Sequence, residues 1–247
     1  MRRLLPFAAA LFALAACSTD HAALPLPAPA PPSAASTSDS TSTSAAAPAL
    51  DDYNGDGTPD PLCATQDFGG GLVLKIPCSI GTAHEPEEGT RLVKDSLYRL
   101  PGVDIDLTGI SAEMIFARAA NTDERVFILV FNSDNLFATG HAELNAPDQL
   151  DRAIAVLNAK LPGGAVQVRG HTDSTGDAAG NQTLSVQRAT TVQQYLTAHG
   201  LKASRVDAVG FGRTRPLVEE TNPDGSVSLK GRAFNRRVEI AIRLPRS

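Results

Sequence analysis

Six consecutive apolar residues, Val126-Phe127-Ile128-Leu129-Val130-Phe131, constrain the fold of this 247-residue chain more than any other feature. A strand with one wet face alternates apolar and polar residues, so an unbroken run of this kind needs cover on both faces. The residues that follow supply elements able to give it. Leu150, Ala153, Ile154 and Leu157 repeat at helical spacing and stop at Pro162-Gly163-Gly164. Val166 and Val168 alternate as a second strand, and Leu184, Arg188, Val192 and Leu196 trace a second helix closed by His199-Gly200. Val206 to Val209 make a third strand, and Val238, Ile240 and Ile242 alternate as the last. The order β-α-β-α-β-β predicts an α+β sandwich over residues 121–247: a mixed sheet with helices packed on one face.

The other end of the chain reads as an address. Arg2 and Arg3 precede an apolar stretch from Leu4 to Leu14, and Leu14-Ala15-Ala16-Cys17 places small residues before a cysteine. This resembles the bacterial lipoprotein signal, which implies that residues 1–16 are removed and that Cys17 is acylated and holds the protein to a membrane. By the same resemblance, Ser18 after the lipidated position points to the outer membrane, facing the periplasm. Residues 17–50 are then a tether. Of the 33 residues from 18 to 50, 27 are Ala, Pro, Ser or Thr, too small and polar to offset the entropy of ordering. Stretched, that tether reaches about 110 Å at roughly 3.3 Å per residue.

Residues 51–120 carry mixed signals and are expected to form a small β-rich region. Asp52, Asn54, Asp56 and Asp60 alternate around Gly55 and Gly57 like the first half of a calcium loop, but Cys63 stands where a closing bidentate acid belongs. A metal-free turn of Asx and glycine residues is the plainer reading of the same segment. Cys63 and Cys78 are the two cysteines left once Cys17 is acylated, and in an exported chain they are expected to pair, with free thiols as the alternative. Leu72 to Ile76 and Val103 to Leu107 read as strands, while Ala112 to Ala119 fits helix or strand.

The residues with binding chemistry gather at one turn. Thr172 and Asp173 leave the second strand, Gly176 permits a sharp turn, and Asn181, Leu184, Ser185 and Arg188 follow into the helix. Together with Phe131, Asn132 and Leu136, with Gly210-Phe211-Gly212 and Pro216, and with Asn235-Arg236-Arg237-Val238-Glu239-Ile240, this pattern resembles the OmpA-like C-terminal domain, the peptidoglycan-binding module of the OmpA and Pal family. The resemblance covers roughly residues 126–243. It departs where many members carry an aspartate after the first strand's aromatic and this chain has Asn132. It implies that Asp173 and Arg188 hold the ammonium and carboxylate of diaminopimelate in a stem peptide, with Thr172, Asn181, Ser185 and Asn132 as further contacts. Arg188 suits a carboxylate because its planar fork binds in a bidentate manner. The residues alone also fit an internal ion pair between Asp173 and Arg188. Arg236 and Arg237 alternate along a strand, so at most one faces the site, and sheet-surface charge is the plainer reading. His171 reads as a turn residue packing on the loop.

Other classes find little support. A net charge of −5 disfavours a nucleic-acid partner. There is no G-x-S-x-G, no H-E-x-x-H and no clustering of the five His, so no enzyme and no cofactor are expected. The expected function is an outer-membrane lipoprotein that binds peptidoglycan non-covalently and ties envelope layers together. The alternative is an envelope scaffold whose middle region recruits a protein partner while the C-terminal domain anchors it to the wall.

Overall fold

The computed structural model describes Thr58, residues 60–78 and residues 90–245, all within a unit spanning 46–247. Cys17, the tether, and Asp52, Asn54 and Asp56 lie outside the described residues.

Strands β1 (Leu62–Asp67) and β2 (Val73–Pro77) form an antiparallel hairpin. Cys63 and Cys78 are joined by a disulfide at its open end, with a Cα–Cα distance of 4.8 Å. Closing a loop of about 15 residues contributes on the order of 3 kcal/mol in the chain-entropy account. Five more strands make one sheet: β3 (Ala112–Arg118), β4 (Arg125–Asn132), β5 (Ala165–Gly170), β6 (Arg205–Gly210) and β7 (Arg237–Leu244). Their order is β3-β4-β7-β5-β6, with β5 and β6 parallel and every other pair antiparallel, so the sheet is mixed. The helices are α1 (Asp148–Lys160), α2 (Ala178–Ala198) and the short α3 (Leu229–Asn235).

The apolar run in β4 is divided between two cores by strand alternation. Phe127, Leu129 and Phe131 meet Leu150, Ile154 and Leu157 of α1 and Val192 and Leu196 of α2. Val126, Ile128 and Val130 meet Phe68, Leu72, Leu74, Leu97 and Leu100 from the N-terminal segment. Each such side chain contributes roughly 1.5–3 kcal/mol when fully buried. The cover expected for the second face therefore comes from residues 68–74 and 97–100, which form a layer of this fold.

Several expectations change accordingly. The boundary at residue 120 runs between β3 and β4, which pair from Ala112 with Phe131 to Arg118 with Arg125, so residues 121–247 lack one strand of the sheet. Ala112 to Arg118 resolves as strand. Val103 to Leu107 is not a strand: Val103, Ile105 and Leu107 alternate because they lean on the first core, and only Gly102 bridges to Ile115. A third helix separates the last two strands. It is seven residues long and opens where Ser228 Oγ accepts from Gly231 N–H at 3.0 Å, and Phe234 on it packs against the second core.

Close contact between α2 and the sheet depends on two strand-end glycines. A Cβ on Gly170 would meet the Ser185 carbonyl oxygen, and one on Gly210 would meet Val186 N and Ser185 Oγ. Helix backbone cannot give way as a flexible side chain would. Gly170→Ala should destabilise the fold by about 1–3 kcal/mol through overpacking, read from urea unfolding. Wild-type stability in that variant would show that α2 can lift away without cost.

Candidate binding cleft

A cleft of about 420 Å³ opens where β5 ends and α2 begins, lined by Thr172, Asp173, Asn181, Arg188, Arg232 and Arg236 among others. The turn that shapes it uses Gly176 at φ +82°, a conformation that side chains disfavour. Asp177 then caps α2, its Oδ1 accepting from Gly180 N–H at 2.8 Å. The first half of α2 buries Asn181, Ser185 and Arg188, and its second half buries Ala189, Val192 and Leu196. One helix thus supplies polar groups to the cleft and apolar groups to the core.

Arg188 is only 2% exposed. Its Nε donates to His141 O at 2.9 Å and its Nη2 to Ala138 O at 3.3 Å, with the guanidinium 5.1 Å from the Phe137 ring centroid. Among the described residues no carboxylate lies within ion-pair distance of it. Burial lowers its pKa, opposed by the fields of Asp134 and Asp173.

Asp173 is paired with Arg236, not with Arg188. Its Oδ2 accepts from Arg236 Nη1 at 2.6 Å, and its Oδ1 accepts from Thr175 N–H at 2.9 Å. Arg236 also meets both oxygens of Asp134, Nε to Oδ1 at 3.0 Å and Nη2 to Oδ2 at 2.7 Å. Hydrogen bonding to Asp134, with a further contribution from Asp173, holds its pKa above the usual arginine value. The internal ion pair between Asp173 and Arg188 that the sequence allowed is absent, and Arg236 is a cleft residue instead of sheet-surface charge.

The other expected contacts divide. Asn181 Nδ2 donates to Thr175 O at 2.9 Å and Thr172 Oγ1 donates to Asp173 O at 3.0 Å, so both line the cleft while bracing its loop. Ser185 does not line it: its Oγ donates to Gln182 O and accepts from Gly212 N–H, fully buried beneath the helix. Asn132 does not line it either, because its Oδ1 caps the next turn by accepting from Asp134 N–H at 2.8 Å. The sequence reading missed Asp134 and favoured sheet-surface charge for Arg236. Their signals were an acid two places beyond Asn132 and the alternation of Arg236 with Arg237. No group of three or more His, Cys, Asp or Glu among the described residues is arranged to hold a metal ion, and Asp60 is the one member of the acidic loop that is described.

Residues 136–228 match the OmpA family. The chain carries an OmpA-family domain. Several curated proteins are similar to part of the chain. A photosystem I P700 chlorophyll a apoprotein A2 from Gloeobacter violaceus is 39% identical over 107 residues, 43% of this chain and 12% of that protein. Outer membrane porin F of Pseudomonas fluorescens is 43% identical over 89 residues, 36% of this chain and 26% of its own length. The peptidoglycan-binding protein ArfA of Mycobacterium bovis is 40% identical over 93 residues, 38% and 26% respectively. The chain therefore spans about an eighth of the length of the first and about a quarter of the length of the other two.

The same strand ends that shape the cleft also hold a buried charge cluster. Glu239 Oε2 accepts from Arg169 Nε at 2.8 Å, and Oε1 accepts from Arg237 Nε at 2.8 Å. His171 is 1% exposed, stacks on Phe211, and places Nε2 3.2 Å from Glu239 Oε1. It is a core residue of this cluster and not the turn residue expected. Burial, then the neighbouring Arg237, push its pKa down to about 4, against the pull of Glu239. Burial pushes Glu239 up, yet its neighbours outweigh that and hold it well below the usual carboxylate range. At neutral pH His171 is uncharged, so the two guanidiniums carry this effect.

Because His171 binds a proton more weakly folded than unfolded, its contribution to stability is full above pH ~6.5 and is lost as pH falls toward 4. The stability difference between wild type and His171→Gln should therefore shift by up to about 3 kcal/mol against wild type between pH 7 and pH 4. Urea unfolding of both proteins across that range reads it directly. Parallel curves for the two would mean that His171 is protonated equally in both states.

Proposed function

We propose that this protein is an outer-membrane lipoprotein that binds peptidoglycan non-covalently, its cleft taking the diaminopimelate of the stem peptide, and that it thereby ties the membrane to the wall. The observation that carries this reading is the buried guanidinium of Arg188, which has no carboxylate partner among the described residues. Removing a cation from water is costly unless an anion or several acceptors meet it. Two backbone carbonyls hold the fork in place, and a ligand carboxylate entering the cleft would complete its coordination.

The opposite charge is supplied nearby. Asp134 and Asp173 share Arg236, which leaves one negative charge unbalanced across the three groups and suits an incoming ammonium. Diaminopimelate carries an ammonium and a carboxylate on one carbon at its free end, so a single ligand end answers both needs. The family match and the peptidoglycan-binding relative point the same way. The signal-like residues 1–17 and the tether support attachment to a membrane some distance from the wall. Phe68, Leu72, Leu74, Leu97 and Leu100 pack against the sheet, which weakens the reading in which this part of the chain is a free-standing recruiter.

The test uses a soluble form beginning at residue 18, matched diaminopimelate-type and lysine-type stem peptides, and circular dichroism to confirm folding. Arg188→Ala should cost roughly 2–5 kcal/mol, some thirtyfold to several thousandfold in affinity for the diaminopimelate peptide, and should flatten the preference between peptides. Arg188→Lys keeps charge without the fork and should rescue only partly. Asp173→Asn should weaken both peptides, since both present an ammonium. Equal wild-type affinity for the two peptides would remove diaminopimelate from the proposal, and folded variants that bind sacculi like wild type would remove the cleft.

A further inference from the structure

A second cavity, of about 300 Å³, lies across the sheet from α1 and α2, between the segment 93–97, the loop 214–217 and the cleft-side ends of β5 and β7. Four cationic side chains line it, Arg169, Arg237, Lys94 and Arg215, against two carboxylates, Glu239 and Asp95. Arg169 and Arg237 are 1% and 3% exposed, and Glu239 is the one carboxylate buried with them. The cavity wall thus holds more buried positive charge than negative.

Backbone carbonyls offset part of that excess without neutralising it. Arg169 donates to Glu239, to Gly69 O, to Gln167 Oε1 and to Phe68 O, four of its five N–H groups. Arg237 donates to Glu239, to Asn235 O at 3.3 Å and to Arg215 O at 2.9 Å. His171, also in the wall, is buried with no hydrogen-bond partner for Nδ1. At the mouth, Lys94 and Arg215 are exposed, where they draw anions toward the opening.

We propose that this cavity is a binding site for a small oxyanion of the phosphate or carboxylate class, separate from the Arg188 cleft. The anion would meet the remaining N–H capacity of the two buried guanidiniums and balance the charge that Glu239 alone leaves over. Groups facing His171 are Arg169 from β5, Arg237 and Glu239 from β7, and Phe211 stacked on its ring. An anion seated among them favours the imidazolium, whose Nδ1–H then has an acceptor.

The protein from residue 18 onward is titrated with sodium phosphate and, separately, sodium acetate at constant ionic strength set by chloride. His171 ring nitrogen resonances are followed by NMR. Saturable shifts with phosphate alone or with acetate alone identify which chemistry fits, and the midpoint of His171 protonation should rise when the anion is bound. The double variant Lys94→Ala/Arg215→Ala, altered only at the exposed rim, should bind the anion about tenfold more weakly while remaining folded. Arg188→Ala should bind it like wild type, so the outcome is independent of the wall-ligand proposal. The site is refuted if neither anion moves His171 beyond chloride, if the rim variant binds undiminished, or if Arg188→Ala abolishes the effect.

Discussion

One carboxylate buried between two guanidiniums joins the parts of this fold. Glu239 on β7 receives Arg169 from the neighbouring β5 on one oxygen and Arg237 from its own strand on the other. Arg169 extends that grip to the N-terminal hairpin through the carbonyls of Phe68 and Gly69, and Arg237 extends it to the loop carrying Arg215. Removing one member of such a cluster leaves an uncompensated charge in the interior, typically a loss of 3–5 kcal/mol. The hairpin is thus held by hydrogen bonds to a charged group as well as by apolar contact.

The same strand ends serve two faces because successive side chains point opposite ways. Arg236 turns to the cleft and Arg237 to the other cavity; Thr172 and Asp173 line the first, and His171 lines the second. The polar chemistry of the domain is therefore concentrated in a few residues at one end of the sheet, with α2 on one side and the N-terminal layer on the other.

What the sequence made legible follows from how far each signal reaches. Strands β4 to β7 and helices α1 and α2 were plain because apolar spacing is a local property, and the mixed sheet follows from their order, whereas the seven residues of α3 are too few to show a period. The second layer was not plain: Phe68, Leu72, Leu74, Leu97 and Leu100 are scattered through turns and short strands, with no period to betray that they share a surface. Asp173, Arg188, Asn181 and Thr172, which the motif grouped, line one cleft. Which charge meets which was not legible, since the Asp173 to Arg236 contact spans 63 positions and is set by tertiary placement. Ser185 and Asn132 were placed at the site by the motif, whereas the structure uses both to satisfy backbone amides, a role that residue identity alone does not distinguish from ligand contact.

The disulfide at the open end of the β1–β2 hairpin has a mechanical consequence. Under the proposed anchoring, with a lipid at the start of the chain and a ligand at the cleft, tension enters the described fold near residue 60. Peeling β1 from β2 residue by residue is the softest way for a hairpin to yield, and that route starts at the end where Cys63 and Cys78 are covalently joined. Load arriving there passes into both strands together, toward the far end where Arg169 holds Phe68 and Gly69. Hydrogen bonds pulled together along the strands share the force, while bonds opened in sequence bear it singly. The cross-link thus sets the direction in which this protein is strong.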